Sequence, residues 1–234
     1  AVGTGEGVGS ITVKSGTSLT LAPGGSLELD AGNVMIGNSA LLSAAGGSIK
    51  LNALDHSPSL AEAMRILTST GKRVPAEDIP QYEKDRGNLT VGAGAVVTVA
   101  GGVVDDQRTS ATAGIQPLVI KGGKMALNAS DLTLAPTSML DVSGGVAISS
   151  TGKLAYADAG AISLAAGVDS QSGLAVVGGG LNMTGATLRG FAGVGKNGGS
   201  LSLQAPAILI NEPADGQVVT TDIAGKLSLA PEFF

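Results

Sequence analysis

One short phrase constrains this chain more than any other feature: a glycine, then two aliphatic residues separated and preceded by small or polar ones. Gly9-Ser10-Ile11-Thr12-Val13 states it first. It returns as Gly47-Ser48-Ile49-Lys50-Leu51, Gly87-Asn88-Leu89-Thr90-Val91 and Gly123-Lys124-Met125-Ala126-Leu127. Further copies are Gly160-Ala161-Ile162-Ser163-Leu164, Gly199-Ser200-Leu201-Ser202-Leu203 and Gly225-Lys226-Leu227-Ser228-Leu229. Alternation of period two over a few residues, bounded by Gly, Asn or Pro, marks short half-buried strands. Shorter versions fill the gaps near the start. Ser18-Leu19-Thr20-Leu21 and Ser26-Leu27-Glu28-Leu29 are separated by Pro23-Gly24-Gly25, and Ile11, Leu19 and Leu27 stand eight residues apart.

The intervals between phrases are also similar: 38 residues from Gly9 to Gly47, 36 from Gly87 to Gly123, then 37 and 39. Leu21-Ala22-Pro23-Gly24-Gly25-Ser26-Leu27-Glu28-Leu29-Asp30 resembles Leu134-Ala135-Pro136-Thr137-Ser138-Met139-Leu140-Asp141-Val142. Such self-similarity points to a solenoid, and a unit made of strands alone excludes helical arrays. The expected fold is all-β, a right-handed parallel β-helix. An interval near 38 accommodates two coils of roughly 19 residues, each with strands of about three to five residues. Inward Leu, Ile and Val would form a column, and outward Ser, Thr, Lys and Glu would meet water.

An antiparallel sandwich is the competing architecture, because its turns also recur at short spacing. Composition decides against it. The aromatic residues are Tyr82, Tyr156, Phe191, Phe233 and Phe234, tryptophan is absent, and there are 37 glycines. Sandwich cores lean on large rings, whereas a narrow elongated core can be filled by aliphatic residues. The apolar fraction of 43% is too high for a disordered chain. No run approaches the ~20 apolar residues of a membrane-spanning helix, and no signal-peptide pattern opens the chain. Ala1 begins in mid-pattern and Leu229-Ala230-Pro231-Glu232-Phe233-Phe234 closes abruptly, so both ends read as continuing into a longer polypeptide.

Residues 55–86 break the pattern. They are rich in charge and proline and contain one glycine, Gly71. Ser57-Pro58 reads as a helix N-cap with proline at the first helical position. Leu60, Met64 and Leu67 then share a helical face, and Pro75 and Pro80 bound Ala76-Glu77-Asp78. Removing these residues from the Gly47–Gly87 interval leaves the eight-residue strand step. The chain thus divides into β-helix coils over 1–54, a charged and partly helical insertion from one bend over 55–86, and continuing coils over 87–234.

Chemistry-bearing constellations are sparse. The chain has no cysteine and one histidine, His56, beside Asp55; this offers neither a thiolate site nor enough preferred zinc ligands. A Ser-His-Asp mechanism would require a serine poised against His56, and a solvated side chain at a bend is the simpler reading. The calcium-binding Gly-Gly-x-Gly-x-Asp repeat is not completed at Gly178-Gly179-Gly180 or Gly198-Gly199. Asp105-Asp106, Glu77-Asp78 and Glu83-Lys84-Asp85 read as loop acids. Asp30, Asp131 and Asp141 fall near strands without pairing inside one phrase, although polysaccharide-cleaving β-helices need clustered carboxylates. Gly193-Val194-Gly195-Lys196-Asn197-Gly198 lacks phosphate-loop spacing and reads as a bend. Asn88-Leu89-Thr90, Asn128-Ala129-Ser130 and Asn182-Met183-Thr184 match the glycosylation triplet, but each sits on a strand phrase and such triplets arise often by chance. No catalytic, cofactor-binding or metal-binding residue is assigned, and no cofactor is expected. The net charge of −5 argues against nucleic acid as a partner.

The phrases Gly9–Val13, Leu132-Thr133-Leu134-Ala135-Pro136, Leu140-Asp141-Val142-Ser143-Gly144-Gly145, Asn197–Leu203 and Gly225–Phe234 resemble filamentous-haemagglutinin-like bacterial exoproteins of the two-partner-secretion type. The resemblance covers nearly the whole chain apart from 55–86, and it is compositional and repetitive. It implies a long secreted polypeptide at the bacterial cell surface, exported through a partner outer-membrane transporter that these residues themselves do not contact. It further implies a filamentous stalk with adhesive regions, packed against neighbouring β-helix segments of the same polypeptide and facing a host or bacterial receptor or glycan. About 200 solenoid residues at roughly 20 per coil would give a rod on the order of 50 Å. The expected function is therefore a structural or adhesive stalk segment without catalysis. The alternatives are a self-assembling β-solenoid fibre or a β-helical carbohydrate-active enzyme.

Overall fold

Alternating aliphatic residues separated by tight bends can bury their apolar edge only by stacking one short strand on its equivalent in the next coil, and the chain does this. The computed structural model describes residues 9–53, 69, 86–105, 119–167, 179–205, 207–210 and 226–229. The first coil contains β1 (Ser10–Val13), β2 (Ser18–Leu21) and β3 (Ser26–Ala31). The second contains β4 (Asn33–Ile36), β5 (Leu41–Ala44) and β6 (Ser48–Ala53). In the third, β7 (Asn88–Val91) and β8 (Val96–Thr98) are followed by β9 (Val103–Asp105) and β10 (Lys124–Ala129). The fourth runs β11 (Asp131–Leu134), β12 (Met139–Asp141), β13 (Val146–Ile148), β14 (Leu154–Tyr156) and β15 (Ala161–Ala166). The fifth has β16 (Gly180–Asn182), β17 (Thr187–Arg189) and β18 (Ser200–Gln204). Strands β19 (Ala207–Ile210) and β20 (Lys226–Leu229) pair in parallel with each other.

Three five-stranded parallel sheets result. The first is β1-β4-β7-β11-β16, the second β2-β5-β8-β12-β17 and the third β3-β6-β10-β15-β18. This is a three-sided parallel β-helix, as the phrase predicts. The coil length differs from the expected one. Ser10 pairs with Asn33, Ser18 with Leu41 and Ser26 with Ser48, so an uninterrupted coil takes 22 or 23 residues. Lys124 pairs with Ala161 and Ala161 with Ser200. The 37- and 39-residue intervals are thus single coils enlarged by excursions, where two plain coils were expected. Five coils at ~4.8 Å per rung span about 20 Å from first to last, well short of the ~50 Å expected.

Each sheet turns its aliphatic positions inward at the same rung. Leu29, Leu51, Leu127, Leu164 and Leu203 stand in one ladder of the third sheet. Val34, Leu89, Leu132 and Leu181 do so in the first, and Leu42, Val97 and Leu140 in the second. Most are fully buried, and each full burial of this kind stabilises by roughly 1.5–3 kcal/mol.

Two columns of special residues make the corners. Between the first and second sheets, the left-handed backbone position is held in successive coils by Gly16, Ser39, Gly94, Thr137 and Gly185. Between the second and third sheets stands a glycine column: Gly25, Gly47, Gly123, Gly160 and Gly199. A Cβ on Gly47 would collide with the Gly25 carbonyl, one on Gly123 with the Gly47 carbonyl, and one on Gly160 with the Gly123 carbonyl. The same carbonyls accept from the next rung: Ser48 N–H donates to Gly25 O, Lys124 to Gly47 O, Ala161 to Gly123 O and Ser200 to Gly160 O, all at 3.0 Å. In the phrases that form the third sheet the leading glycine is a close-packing requirement, whereas Gly9, ahead of β1, has open space beside it.

The excursions leave from this second corner. In the first two coils Gly25 N–H donates to Ala22 O and Gly47 N–H to Ala44 O, both at 2.9 Å, closing a two-residue turn. In the third, fourth and fifth coils the equivalent bonds are Gly123 N–H to Val99 O, Gly160 to Val142 and Gly199 to Gly190, at 2.9, 2.7 and 2.8 Å. The turn hydrogen bond has become the neck of a loop: residues 100–122, 143–159 and 191–198 are inserted inside it. These excursions, which sequence reading merged into continuing coils, build a lateral sheet in which β9 is parallel and β14 antiparallel to β13.

A third corner, from the third sheet back to the first, also widens. β3 to β4 and β10 to β11 take seven residues from strand start to strand start, whereas β6 leads to β7 only after residues 54–87 and β15 to β16 after 167–179. β7 nevertheless pairs directly with β4, Asn33 opposite Asn88. The proposed helix at Ser57-Pro58 with Leu60, Met64 and Leu67, and the acids Asp55, Glu77-Asp78 and Glu83–Asp85, lie outside the described residues. Within that segment Ser69 is helical and Arg86 is buried.

Candidate functional site

The parallel register decides which outward side chains become neighbours, and this is most informative on the third sheet. One row of its outer face reads Ser26, Ser48, Lys124, Ala161, Ser200, and the next Glu28, Lys50, Ala126, Ser163, Ser202. Lys50 Nζ donates to Glu28 Oε1 at 2.6 Å. That bond is the main reason the Lys50 ammonium is held above its ordinary pKa, with partial desolvation opposing it. A third row carries a polar ladder: Asn128 Nδ2 donates to Asn52 Oδ1 at 2.7 Å, and Asn52 Nδ2 donates to Asp30 Oδ1. Over the first two rows lies an open depression of about 450 Å³, bordered by Glu28, Lys50, Lys124, Ala126, Ala161 and Ser163. The short side chains of Ala126, Ala161 and Ser163 leave this space beside Lys124.

The three strand-associated carboxylates are kept apart. Asp30 belongs to the third sheet, Asp131 opens β11 in the first, and Asp141 closes β12 in the second. Asp141 Oδ1 accepts from Ser143 N–H at 2.9 Å, a turn contact at the mouth of an excursion. Burial pushes the Asp131 carboxyl above its usual pKa, against a smaller opposing effect of the Gly180 backbone. No group of three or more His, Asp or Glu side chains capable of holding a metal occurs among the described residues. His56, Asp106 and Gly178 lie outside them, and Asp105 ends the lateral strand β9.

A second polar cluster ties the excursions together. Asp158 Oδ1 accepts from Asn197 N–H at 3.0 Å, and its other oxygen is 3.7 Å from Lys121 Nζ. The Asn197 backbone, followed by Lys121 and Lys196, holds the Asp158 carboxyl below its ordinary pKa despite partial desolvation. Three excursions meet at this one side chain, which gives it a positioning role.

The remaining motifs find structural uses. Gly193 lies against the Tyr156 ring, where a Cβ would collide, and Lys196 N–H donates to Gly193 O at 3.1 Å, so this segment is a bend, as its spacing predicts. Asn88 Nδ2 donates to Asn33 Oδ1 at 3.1 Å, Asn128 belongs to the polar ladder, and Asn182 Oδ1 accepts from Thr184 N–H at 3.1 Å. Sequence reading missed the depression because its members are ordinary outward positions of separate phrases; the available signal was the pair of short residues, Ala126 and Ala161, in phrases that elsewhere carry longer ones. No helix among the described residues is long and apolar enough to cross a membrane. No family model, curated protein or solved structure matches this chain.

Proposed function

We propose that this chain is a structural and adhesive stalk segment of a secreted bacterial surface exoprotein of the filamentous-haemagglutinin-like kind, and that it performs no catalysis. The observation that carries the reading is the stack itself. Each coil is held by its two neighbours through in-register parallel strands, so the fold can lengthen indefinitely and can form progressively as a chain emerges from a pore. A stalk needs that mechanical property, and loops inserted inside closed necks add surface without interrupting it. On this reading the partners are further β-helix segments of the same polypeptide, an outer-membrane transporter during export, and a receptor or glycan on a host or bacterial surface. The placement of Asp30, Asp131 and Asp141 on three different sheets weighs against the carbohydrate-cleaving alternative, which needs two carboxyl groups flanking one bond.

The location is testable on intact cells of the source organism. Antibodies against this chain are expected to label unpermeabilised cells, and protease added outside is expected to destroy the antigen. An antigen that labels only after permeabilisation, and survives external protease, would overturn the proposal.

A further inference from the structure

The third sheet is bordered differently from the other two. The corner that leads into it encloses loops in the third, fourth and fifth coils, and the chain from it back to the first sheet is longer after β6 and β15 than after β3 and β10, while the corner between the first and second sheets keeps a short turn in all five coils. The outer face of the third sheet holds the depression beside Lys124. Its volume falls within the ~300–1,000 Å³ typical of small-ligand sites.

The chemistry of the depression is specific. Glu28 and Lys50 neutralise one another at 2.6 Å. Among the described residues the Lys124 side chain forms no ion pair or hydrogen bond. Among the described residues, one uncompensated positive charge thus borders the depression, which favours a ligand with a single negative group. A lone lysine is a point charge that pairs with one anionic group and lacks the fork that arginine offers. Bordering the depression are the hydroxyls of Ser26 and Ser48, bonded to each other at 2.8 Å, the hydroxyl of Ser163 and the Glu28 carboxylate held by Lys50, whose remaining donors and lone pairs can exchange hydrogen bonds with ligand hydroxyl groups. The methyl groups of Ala126 and Ala161 supply a low, flat floor. An apolar ligand would leave the charged rim desolvated and unpaired.

We propose that this depression binds a carboxylated sugar unit of an extended acidic polysaccharide, with the carboxylate at Lys124 and ring hydroxyls at Ser48, Ser163 and Glu28. The inference rests on the reading of the chain as a surface-exposed segment and names the partner class for one face of it. With no aromatic ring bordering the depression, a single unit binds weakly, and useful attachment comes from several units or several chains acting together.

The test is a titration of the intact chain, followed by amide NMR, with three acidic probes: tetragalacturonate, a glucuronate tetramer and a sialic acid oligomer. Maltotetraose serves as the neutral control. At least one acidic probe is expected to shift the amides of Lys50, Lys124, Ala126 and Ser163, while maltotetraose does not. Lys124→Ala is expected to weaken that binding about tenfold or more, Lys124→Arg to retain most of it, and thermal melting to be unchanged in both. No shift at these positions with any acidic probe, equal binding by Lys124→Ala, or equal binding of maltotetraose would overturn the site. Such a failure is distinguishable from failure of the stalk reading, which is judged by surface labelling of cells.

Discussion

The corner between the first and second sheets and the corner between the second and third are turned by the same chain in the same coils, yet only the second has accepted insertions. At the first, residues Ala40, Ala95 and Ser138 are themselves core residues, 0–1% exposed. The left-handed position beside each fixes the turn in every coil. Extra residues there would have to pass through packed interior. At the second corner the hydrogen bond from the column glycine closes the coil whether two residues or a whole excursion lies inside it. A corner tolerates growth when the bond that closes it is indifferent to what it encloses.

The sharpest way to break this comparison is to add a methyl group to the column. Gly123→Ala would force a Cβ into the Gly47 carbonyl and is expected to cost more than about 3 kcal/mol, or to prevent folding. Gly102→Ala, at a left-handed glycine inside the excursion with open space around its Cβ, is expected to cost only about 1–2 kcal/mol from backbone strain. Urea unfolding of the two variants measures the difference; equal losses would remove the distinction between neck and loop.

A second test shortens the fifth-coil loop. Replacing residues 191–198 with Pro-Gly, the turn used at Pro23-Gly24, keeps the neck bond but removes the contact of Asn197 with Asp158. Only a small loss is expected, since closure entropy varies slowly with loop length and the hydrogen bond removed is exposed to solvent. Global unfolding would show that the excursion holds the coil together.

The first corner offers stabilising changes. Ser138 is fully buried and its Oγ has no hydrogen-bond partner, while the neighbouring coils place Ala95 and Ala186 at the same corner position. Ser138→Ala is expected to raise stability by about 1 kcal/mol. Thr137, with φ of 65°, is a β-branched residue in the left-handed region, and Thr137→Asn is expected to gain somewhat less, about 0.5–1 kcal/mol. Thermal melting decides both, and losses in either would mean that the corner is not read correctly.

The smallest effects concern pH. The Asp131 pKa is raised in the fold, so its ionisation opposes folding at neutral pH, and that opposition fades as pH falls through its folded value. Asp131→Asn is expected to stabilise slightly at pH 7 and to lose its advantage near pH 4, where the unfolded carboxyl also protonates. Asp158 has the opposite sign: its depressed pKa favours the fold above the ordinary carboxylate range, and this is lost only at lower pH. Asp158→Asn should therefore loosen the excursions at pH 7, seen as faster amide exchange at Asn197, with the difference from the parent chain vanishing in acid.

The strand phrases and the inward aliphatic ladders were legible in the sequence because period-two alternation needs no knowledge of the partner strand. Gly47, Gly123, Gly160 and Gly199 were legible as punctuation, but their spacing was misread: 37 and 39 residues suit two plain coils as well as one coil with a loop. Only pairing, Lys124 with Ala161 and Ala161 with Ser200, separates these. The excursions at 100–122 and 143–159 escaped notice because Val103–Asp105 and Val146–Ile148 are themselves short strands. The depression was hidden for a related reason, since Lys50, Lys124 and Ser163 are remote in sequence and meet only through register.

The central claim is that each of those intervals is a single coil, and the absence of cysteine from the chain makes a clean test available. Asn128 and Ala165 occupy adjacent rungs of the third sheet, a separation that suits a disulfide between in-register neighbours. Under mild oxidation, the double variant Asn128→Cys/Ala165→Cys is expected to cross-link rapidly and completely, while Asn128→Cys/Ala147→Cys, the pair that two coils of about 19 residues would bring together, is expected to stay reduced. The reverse pattern would contradict the one-coil reading and the stack built on it.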